Sequence, residues 1–392
     1  LSRPSSRARI LIIGAGLGGL VAALALIDRG FDVELYEQAP ELGEVGAGLT
    51  LSTGAQQVLR ALGLMDRIAP FACPAARFPF LHYKTARLLI GELDRGDGKP
   101  DDGIALVDRQ IHRADLHHVL ASAFLERAPG RLHVNHRLVG IEENQQGVRA
   151  VFADGSIAYG DGLVAADGVR SSARGLLWGA DAPRFTGQVA YRFLVDRTTA
   201  APFMKLGRGA VFIGPQRTFN RYTLRAGDVV NCVGIAVSDT WVDDGWAVSA
   251  GRKSVLNEFS DWHPDVTGLV GRSQNLIRWG IFDRAPLSRW RQGRATLLGD
   301  AAHAMLPFLG MGAAMAIEDA FILARIMDAD NDIEVGFDRY EANRRPRTEL
   351  LHAKSLHQGK LVQAQEPDDY DGRAAPANDP AIKDYNPVLA AI

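Results

Sequence analysis

The sequence predicts an α/β protein: a domain built on a parallel sheet, interleaved with a smaller domain built on an antiparallel sheet, and helices at the C-terminal end. Three observations predict this. A strand, glycine turn, helix and strand open the chain at ARILIIGAGLGGLVAALALIDRGFDVELYE (8–37). Two later strands also end in a glycine–aspartate turn, at LVAADG (163–168) and TLLGD (296–300). Between these two turns the pattern changes to alternating β-branched segments separated by turn residues.

The first unit carries the most chemistry. ARILII is a short β-branched run suited to a buried parallel strand. GAGLGG follows with the spacing G-x-G-x-x-G at Gly14, Gly16 and Gly19. Gly14 permits the tight turn, Gly16 lets backbone N–H groups approach a pyrophosphate, and Gly19 lets helix and strand pack closely. LGGLVAALALIDRG reads as a helix packed on a sheet, with Gly30 as its stop. FDVELYE alternates as a second strand ending on Glu37. That acid lies eighteen positions after Gly19, near the offset expected of one that bonds a ribose hydroxyl. Gln38 and Ala39 follow, with no Arg to meet a 2′-phosphate, which disfavours NADP at this site.

Residues 10–27 carry no charge and follow the basic start LSRPSSRAR, so a secretory leader or a membrane span is the competing reading. Four glycines break the run, and a charged alternating strand begins four residues after it. Neither feature suits a leader or a span, and no second apolar segment approaches spanning length.

At 392 residues the chain is too long for one ordinary core, so two domains are expected. Its 47% hydrophobic and 23% charged content is that of a soluble globular protein. A net charge of −2 without a compact basic stripe argues against a nucleic-acid partner. Cys73 and Cys232 are the only cysteines, too few for a disulfide framework or a multi-cysteine metal site. No metal is expected, and a reducing, cytoplasmic setting is.

In GDGLVAADGVRSSAR (160–174), Asp167 and Gly168 end the strand, and Ser171 and Ser172 start a helix. In GRATLLGDAAHAMLPFLGMGAAMAIEDAFILARIM (293–327), Asp300 follows the strand, a loop holds Pro307, and Gly310 and Gly312 open a long helix. An Asp just after a buried strand can meet cofactor hydroxyls, and free N–H groups at a glycine-rich helix start favour negative charge. Singly, each Asp reads as a turn residue or helix cap. Together with the first fingerprint, the turns point at one dinucleotide.

VAYRFLVDR (189–197), GAVFIGP (209–215) and FNRYTLRAGDVVNCVGIAV (219–237) alternate as strands, the last a hairpin turning at Ala226-Gly227-Asp228. Period-2 geometry puts Asn220, Tyr222 and Leu224 on one face and Arg221, Thr223 and Arg225 on the other. Residues 76–104 are expected to join this sheet, with DRGDGKPDDG (94–103) as punctuation. The polar, Pro-rich tail QAQEPDDYDGRAAPANDPAIKDYNP (363–387) is either draped on the surface or used in subunit contact.

With these residues in view, the chain resembles the single-component FAD-dependent aromatic hydroxylases typified by para-hydroxybenzoate hydroxylase. The resemblance runs from residue 8 to the region of residue 350. It is carried by GAGLGG, by ADGVRSSAR and by GDAAHAMLPFLGMG with IEDA, supported by IHRADLHHVL (111–120) and YEANRRPRTE (340–349). EVGAGLTLS (44–52), RWGIFDRAPLSRW (278–290) and HAMLPFLG are similar to salicylate hydroxylases. The 3-hydroxybenzoate 6-hydroxylases and 6-hydroxynicotinate 3-monooxygenases look nearly as similar. Met311 and Ala314 depart from the family, in which Gln and Asn are frequent there.

The resemblance implies a Rossmann-like FAD-binding domain (1–75, 105–180 and 285–345), an interleaved substrate domain (76–104 and 181–284), and a C-terminal helix and tail (346–392). It implies FAD held at its pyrophosphate by Gly14, Gly16 and Gly19, at its ribose by Glu37 and Gln38, and near its adenine by Leu138. Arg113, Asp167 and Asp300 would line the rest of the cofactor, with Gly310 and Gly312 at the flavin. For Arg113 a surface salt bridge with Asp115 or Glu126 is the plainer alternative. No second G-x-G-x-x-G occurs, so NADH or NADPH would bind transiently.

On the substrate side, the implied catalytic set is Tyr222, His303 and Pro307. Tyr222 falls on the relatives' active-site tyrosine, with an ordinary core tyrosine as the alternative. His303 either stands beside the flavin or braces the loop before Pro307. Thr218 stands where the hydroxybenzoate and hydroxynicotinate relatives carry a histidine, and Thr50 where the hydroxynicotinate enzyme carries a further one. Arg221 would point outward, and Arg192 is a secondary candidate for an anionic substrate group. The implied reaction uses NAD(P)H and O2, through a hydroperoxide at flavin C4a, to hydroxylate a small phenolic aromatic acid. CO2 is released where the attacked carbon bears the carboxylate. An epoxidase or oxidase on the same scaffold is the nearest rival; monomer and homodimer both stay open.

Overall fold

The structure is a computed structural model that describes residues 7–43, 48–75, 78–93, 107–179, 182–238, 241, 247–363, 367–370 and 379–392. The stretches 44–47 and 94–103, part of the motifs above, lie outside the described residues. Strand β1 (Arg7–Ile13), helix α1 (Leu17–Ile27) and strand β2 (Phe31–Tyr36) follow the expected order. Every residue of α1 from Leu17 to Leu26 is buried, because the sheet covers one side and other helices the other.

The chain then forms β3 (Gly48–Leu51) and β4 (Arg109–His112), which pair with each other and with Cys73–Pro74 in a small antiparallel sheet. Helix α2 (Arg113–Arg127) follows β4 directly. β5 (Gly162–Ala165) returns to pair in parallel with β1, Ile10 opposite Gly162 and Ile13 opposite Ala165. After helix α3 (Ser172–Trp178) come β6 (Arg184–Asp196), β7 (Gly209–Gly214), β8 (Arg217–Leu224), β9 (Val229–Val237) and β10 (Gln274–Asp283). β11 (Ala295–Leu297) goes back to pair in parallel with β5. Helices α4 (Gly312–Ala329) and α5 (Ile333–Val362) follow.

The first sheet runs in the order Arg291–Gln292, β11, β5, β1, β2, Leu132–His133, parallel except at its Arg291–Gln292 edge. The second sheet runs Ala247–Ser249, β10, β6, β9, β8, β7, Phe80–His82, Leu88–Ile90. It is antiparallel apart from the pairing of β7 with Phe80–His82, and of the stretch 76–104 expected to join it, Phe80–His82 and Leu88–Ile90 do so. The hairpin between β8 and β9 turns at Arg225–Gly227, one residue before the expected Ala226-Gly227-Asp228.

The two faces of this second sheet are put to different uses. Tyr191, Phe193 and Phe219 pack on one face against Val255, Phe259, Val266 and Leu269. Each such side chain contributes about 1.5–3 kcal/mol of burial. Ala190, Ile235 and Ile281 on the other face meet Leu306 and Phe308, from the loop that leads to α4.

Two expectations are corrected, and one open alternative gains an observation. Arg221 does lie opposite Tyr222, yet it does not reach solvent: it is fully buried in the helix-covered core, bonded to the Gly207 carbonyl at 2.8 Å and near Asp265 at 3.8 Å. The expected boundary between residues 345 and 346 falls inside α5, which is one helix. Pro346 forfeits a helical hydrogen bond, but Arg344, Arg345 and Arg347 beside it are each tied to acids and hold the helix through. Lastly, the described end of the tail is fastened to its own chain. Arg325 donates to the Pro387 and Ala390 carbonyls at 2.8 Å, and Tyr385 lies 3.7 Å from the Arg347 guanidinium. Among the described residues no helix is long and apolar enough to cross a membrane.

Candidate dinucleotide and substrate site

The glycine turn sits where β1 ends, outside the carboxyl edge of the parallel sheet, the usual place for a ligand in such folds. Gly14 has φ +99°, and a Cβ on it would lie 2.5 Å from the Ala166 carbonyl oxygen. A Cβ on Gly19 would lie 1.9 Å from the Gly14 carbonyl oxygen, so α1 starts in contact with the strand end. Gly16 differs: nothing lies within 4 Å of its Cβ position. It is also the N-cap of α1 and offers no side-chain cap, so the first N–H groups of the helix stay available to a phosphate. This open seat fits a pyrophosphate.

Glu37 ties the turn to β2. Its carboxylate accepts from the Ala15 N–H at 2.8 Å and from the Ala39 N–H at 2.9 Å, leaving lone pairs for a ribose hydroxyl. Gln38 beside it is exposed, and Leu138 is buried at the start of a neighbouring strand. His117 on α2, given no role from sequence, donates from Nε2 to the Ala15 carbonyl at 2.8 Å and props the turn from below. Arg113 is exposed at the first position of α2. The acids considered as its partners are engaged elsewhere, Asp115 with Arg225 and Glu126 with Arg67, each at 2.7 Å.

The two later turns reach the same place. The Asp167 backbone is 2.9 Å from the Gly14 Cβ position. One oxygen of its carboxylate caps α3 by accepting from the Ala173 N–H at 3.0 Å, while Oδ1 is buried without a partner. Burial pushes this carboxyl above its ordinary pKa. Asp300 is exposed, makes no hydrogen bond among the described residues, and lies 3.9 Å from the Gly312 Cβ position. Gly312 opens α4 without a side-chain cap, and Gly310 before it holds φ +65°. Leu298 and Ala316 approach Gly18, which closes the ring of three segments. Asp300→Ala should therefore purify with little bound flavin and melt like flavin-free wild type; full occupancy by visible absorbance would remove Asp300 from the site.

His303 is buried at the end of the short helix Asp300–His303. Its Nε2 lies 2.5 Å from Asp319 Oδ2, and Trp290 covers its ring at 5.2 Å. This is the loop-bracing arrangement. Asp319 also accepts from Arg344 at 2.7 Å, and Glu318 binds Arg344 and Arg347 at 2.9 and 2.8 Å. Burial alone would raise the Asp319 carboxyl, but His303 and Arg344 together hold it below its ordinary value.

The open face of the second sheet meets the 304–312 loop through Ile235 and Ile281, and Pro307–Leu309 of that loop form a single 3₁₀ turn. Tyr222 lies on the same face on β8, with Asn231 opposite on β9. β3 forms the rim. A Cβ on Gly48 would lie 2.5 Å from the Tyr222 hydroxyl oxygen, and the Gly48 N–H donates to Asn231 Oδ1 at 3.0 Å. Phe78 packs edge-on against Tyr222 at 5.5 Å. Burial raises the Tyr222 phenol above its ordinary value, so it keeps its proton.

Three segments of the chain thus converge on the Gly14–Gly19 turn. A family profile described as "FAD binding domain" matches residues 7–355. The chain belongs to that family. It is an FAD-dependent monooxygenase of the aromatic-hydroxylase type. The monooxygenase is 32% identical over 364 residues to a 3-hydroxybenzoate 6-hydroxylase of Polaromonas naphthalenivorans, covering 91% of this chain and 88% of the relative. It is 32% identical over 378 residues to a 6-hydroxynicotinate 3-monooxygenase of Bordetella bronchiseptica, covering 94% and 96%. A salicylate hydroxylase substrate complex superposes with a TM-score of 0.82 at 25% identity, covering 98% of this chain and 97% of that one.

Proposed function

We propose that the monooxygenase hydroxylates a small phenolic aromatic acid at the expense of NADH or NADPH and O2, with salicylate-like acids as the first candidates. The observation that carries this reading is the position of Tyr222, buried on the sheet face that also meets the 304–312 loop through Ile235 and Ile281. The three relatives named above are called after salicylate, 3-hydroxybenzoate and 6-hydroxynicotinate, all hydroxylated ring acids.

FAD, when bound, supplies the redox chemistry: it takes hydride from reduced nicotinamide and activates O2. The protein's own residues position and shield. Gly14, Gly16, Gly19, Glu37, Asp167 and Asp300 would hold the cofactor, with Gln38 and Leu138 at its adenosine side and Arg113 along its chain. The uncapped N–H groups at Gly312 favour negative charge developing beside them. The Tyr222 hydroxyl donates to the phenolic oxygen of the substrate and fixes which ring carbon faces the flavin. Ile235, Ile281, Leu306 and Phe308 form an apolar wall that excludes water. Pro307 shapes the loop, and His303 acts as a positioning residue through Asp319. Thr50 and Thr218 put no imidazole at two chamber positions, which favours the salicylate-like reading over the hydroxynicotinate one.

The deciding experiment screens oxidation of NADH and NADPH against salicylate, 3-hydroxybenzoate and 6-hydroxynicotinate, with product analysis under 18O2 and CO2 measurement. Label in a hydroxylated product supports the reading; an unlabelled product points to the oxidase rival. Tyr222→Phe should lower the fraction of NAD(P)H use that ends in product, several-fold for one hydrogen bond of about 1 kcal/mol, with the balance released as H2O2. Wild-type coupling on the true substrate would take Tyr222 out of the mechanism.

A further inference from the structure

His303 and His352 enter one small cleft from different elements, and each brings a buried nitrogen with no hydrogen-bond partner among the described residues. His303 ends the short helix Asp300–His303 and His352 lies on α5; they are 8% and 9% exposed. The unpartnered atoms are His303 Nδ1 and His352 Nε2. The cleft that both residues line holds about 10 Å³, roughly the room that one water needs. Its other polar side chains are engaged. Thr348 donates to the Arg345 carbonyl at 2.9 Å, and Arg284 to the Val169 carbonyl at 2.5 Å. Arg345 pairs with Glu341 at 3.1 Å and with Glu349 at 3.4 Å.

The protonation of both rings follows from their neighbours. Asp319 stays ionised between His303 and Arg344, so His303 Nε2 carries the proton that it donates to Asp319 Oδ2. In the neutral ring Nδ1 is then an acceptor. Burial lowers the His352 pKa; Asp283 opposes this, while His303 and Arg184 add to it. The Asp283 carboxylate is itself held by Arg184 at 3.0 and 2.8 Å. A neutral His352 offers either a lone pair or an N–H at Nε2. Water both donates and accepts, so it completes either arrangement, and a water bridge is nearly as favourable as a direct bond. Asp319 Oδ2 carries the link onward, because it also accepts from the Gly299 N–H at 3.3 Å, just before Asp300.

We propose that a single water bridges His303 Nδ1 and His352 Nε2, which makes His352 a positioning residue for the glycine–aspartate turn that receives FAD. This rests on the reading that the Asp300 turn holds the cofactor. The bridge fixes the His303 ring against rotation, and with it the bond to Asp319 and the backbone of the turn. α5 thus enters the support of the cofactor turn through a solvent molecule as well as through Arg344.

The test follows the His303 Nδ1 signal by NMR of histidine nitrogens in the FAD-loaded protein, beside the FAD dissociation constant from flavin fluorescence on dilution of the holoenzyme. His352→Phe keeps a ring in the cleft and removes the nitrogen. It should move the His303 Nδ1 signal to that of an unbonded acceptor. It should also raise the FAD dissociation constant roughly 3- to 10-fold, the loss of one hydrogen bond. His352→Gln, which restores a donor and an acceptor, should recover part of both effects. With His303→Phe already in place, His352→Phe should change FAD affinity by less than about twofold. Crystals of the holoenzyme should show one water within hydrogen-bond reach of both nitrogens. The inference falls if that position is empty, if the Nδ1 signal ignores His352→Phe, or if the two losses simply add. An Asp300→Ala protein that keeps its FAD would instead overturn the cofactor reading, and the Nδ1 signal would still decide the bridge.

Discussion

Gly16→Asp yields a folded protein that purifies without flavin, whereas Gly19→Ala, the gentler change on paper, does not fold stably. The contrast follows from what a side chain would meet at each position. Nothing stands within 4 Å of the Gly16 Cβ, and Asp is a preferred N-cap that its helix dipole favours. The helix tolerates the new carboxylate, but that carboxylate occupies the seat of a pyrophosphate and repels it. At Gly19 even a methyl group meets the Gly14 carbonyl oxygen at 1.9 Å, with both atoms fixed in backbone contact. Relief requires α1 to lift from β1, roughly 3 kcal/mol or more of overpacking. Melting temperature and visible absorbance, measured side by side, check both halves. A yellow Gly16→Asp protein would place the dinucleotide elsewhere.

Arg344→Met should destabilise the fold by about 3–5 kcal/mol, because it leaves Glu318 and Asp319 buried with their principal counter-charge gone. Asp319→Asn should cost less, since Arg344 retains Glu318, but it should loosen His303 and so lower flavin retention. The pH dependence has a defined sign. The folded Asp319 carboxyl lies below its unfolded value near 3.8, so the stability it contributes is present above that pH and is lost as pH falls through the folded value. The melting-temperature gap between wild type and Asp319→Asn should therefore close on acidification below about pH 4. A gap that is flat down to the acid limit would show that Asp319 carries no linked charge.

The cradle was legible because its requirements are local. A turn that admits only Gly14, a contact that admits only Gly19 and an acid at the next strand end leave a trace within thirty residues of sequence. The antiparallel sheet was legible for a similar reason, since alternation marks strands and their faces. What pairs across the molecule left no such trace. The IEDA and RRPRTE segments were recognisable separately, yet nothing local shows that Asp319 meets His303 or that Arg344 meets both acids. Asn231 read as an interior residue of a hydrophobic strand; only its bond to Gly48, 183 positions away, fixes which end of its amide is free. Arg221 looked solvent-directed because the face opposite Tyr222 was taken as the outside, whereas two helices spanning Arg252–Glu258 and Pro264–Gly271 cover it.

The parallel sheet joins Ile10 to Gly162 and Leu163 to Ala295, with the other sheet's strands threaded between those partners. No cut of the polypeptide separates the two halves into autonomous modules, so cassette swaps between relatives must exchange several fragments at once. Closing loops of that size is slow, and a nascent or refolding chain will spend its early life without a working cradle. Acquisition of yellow colour is accordingly a late event, and in a refolding experiment it should trail the recovery of secondary structure.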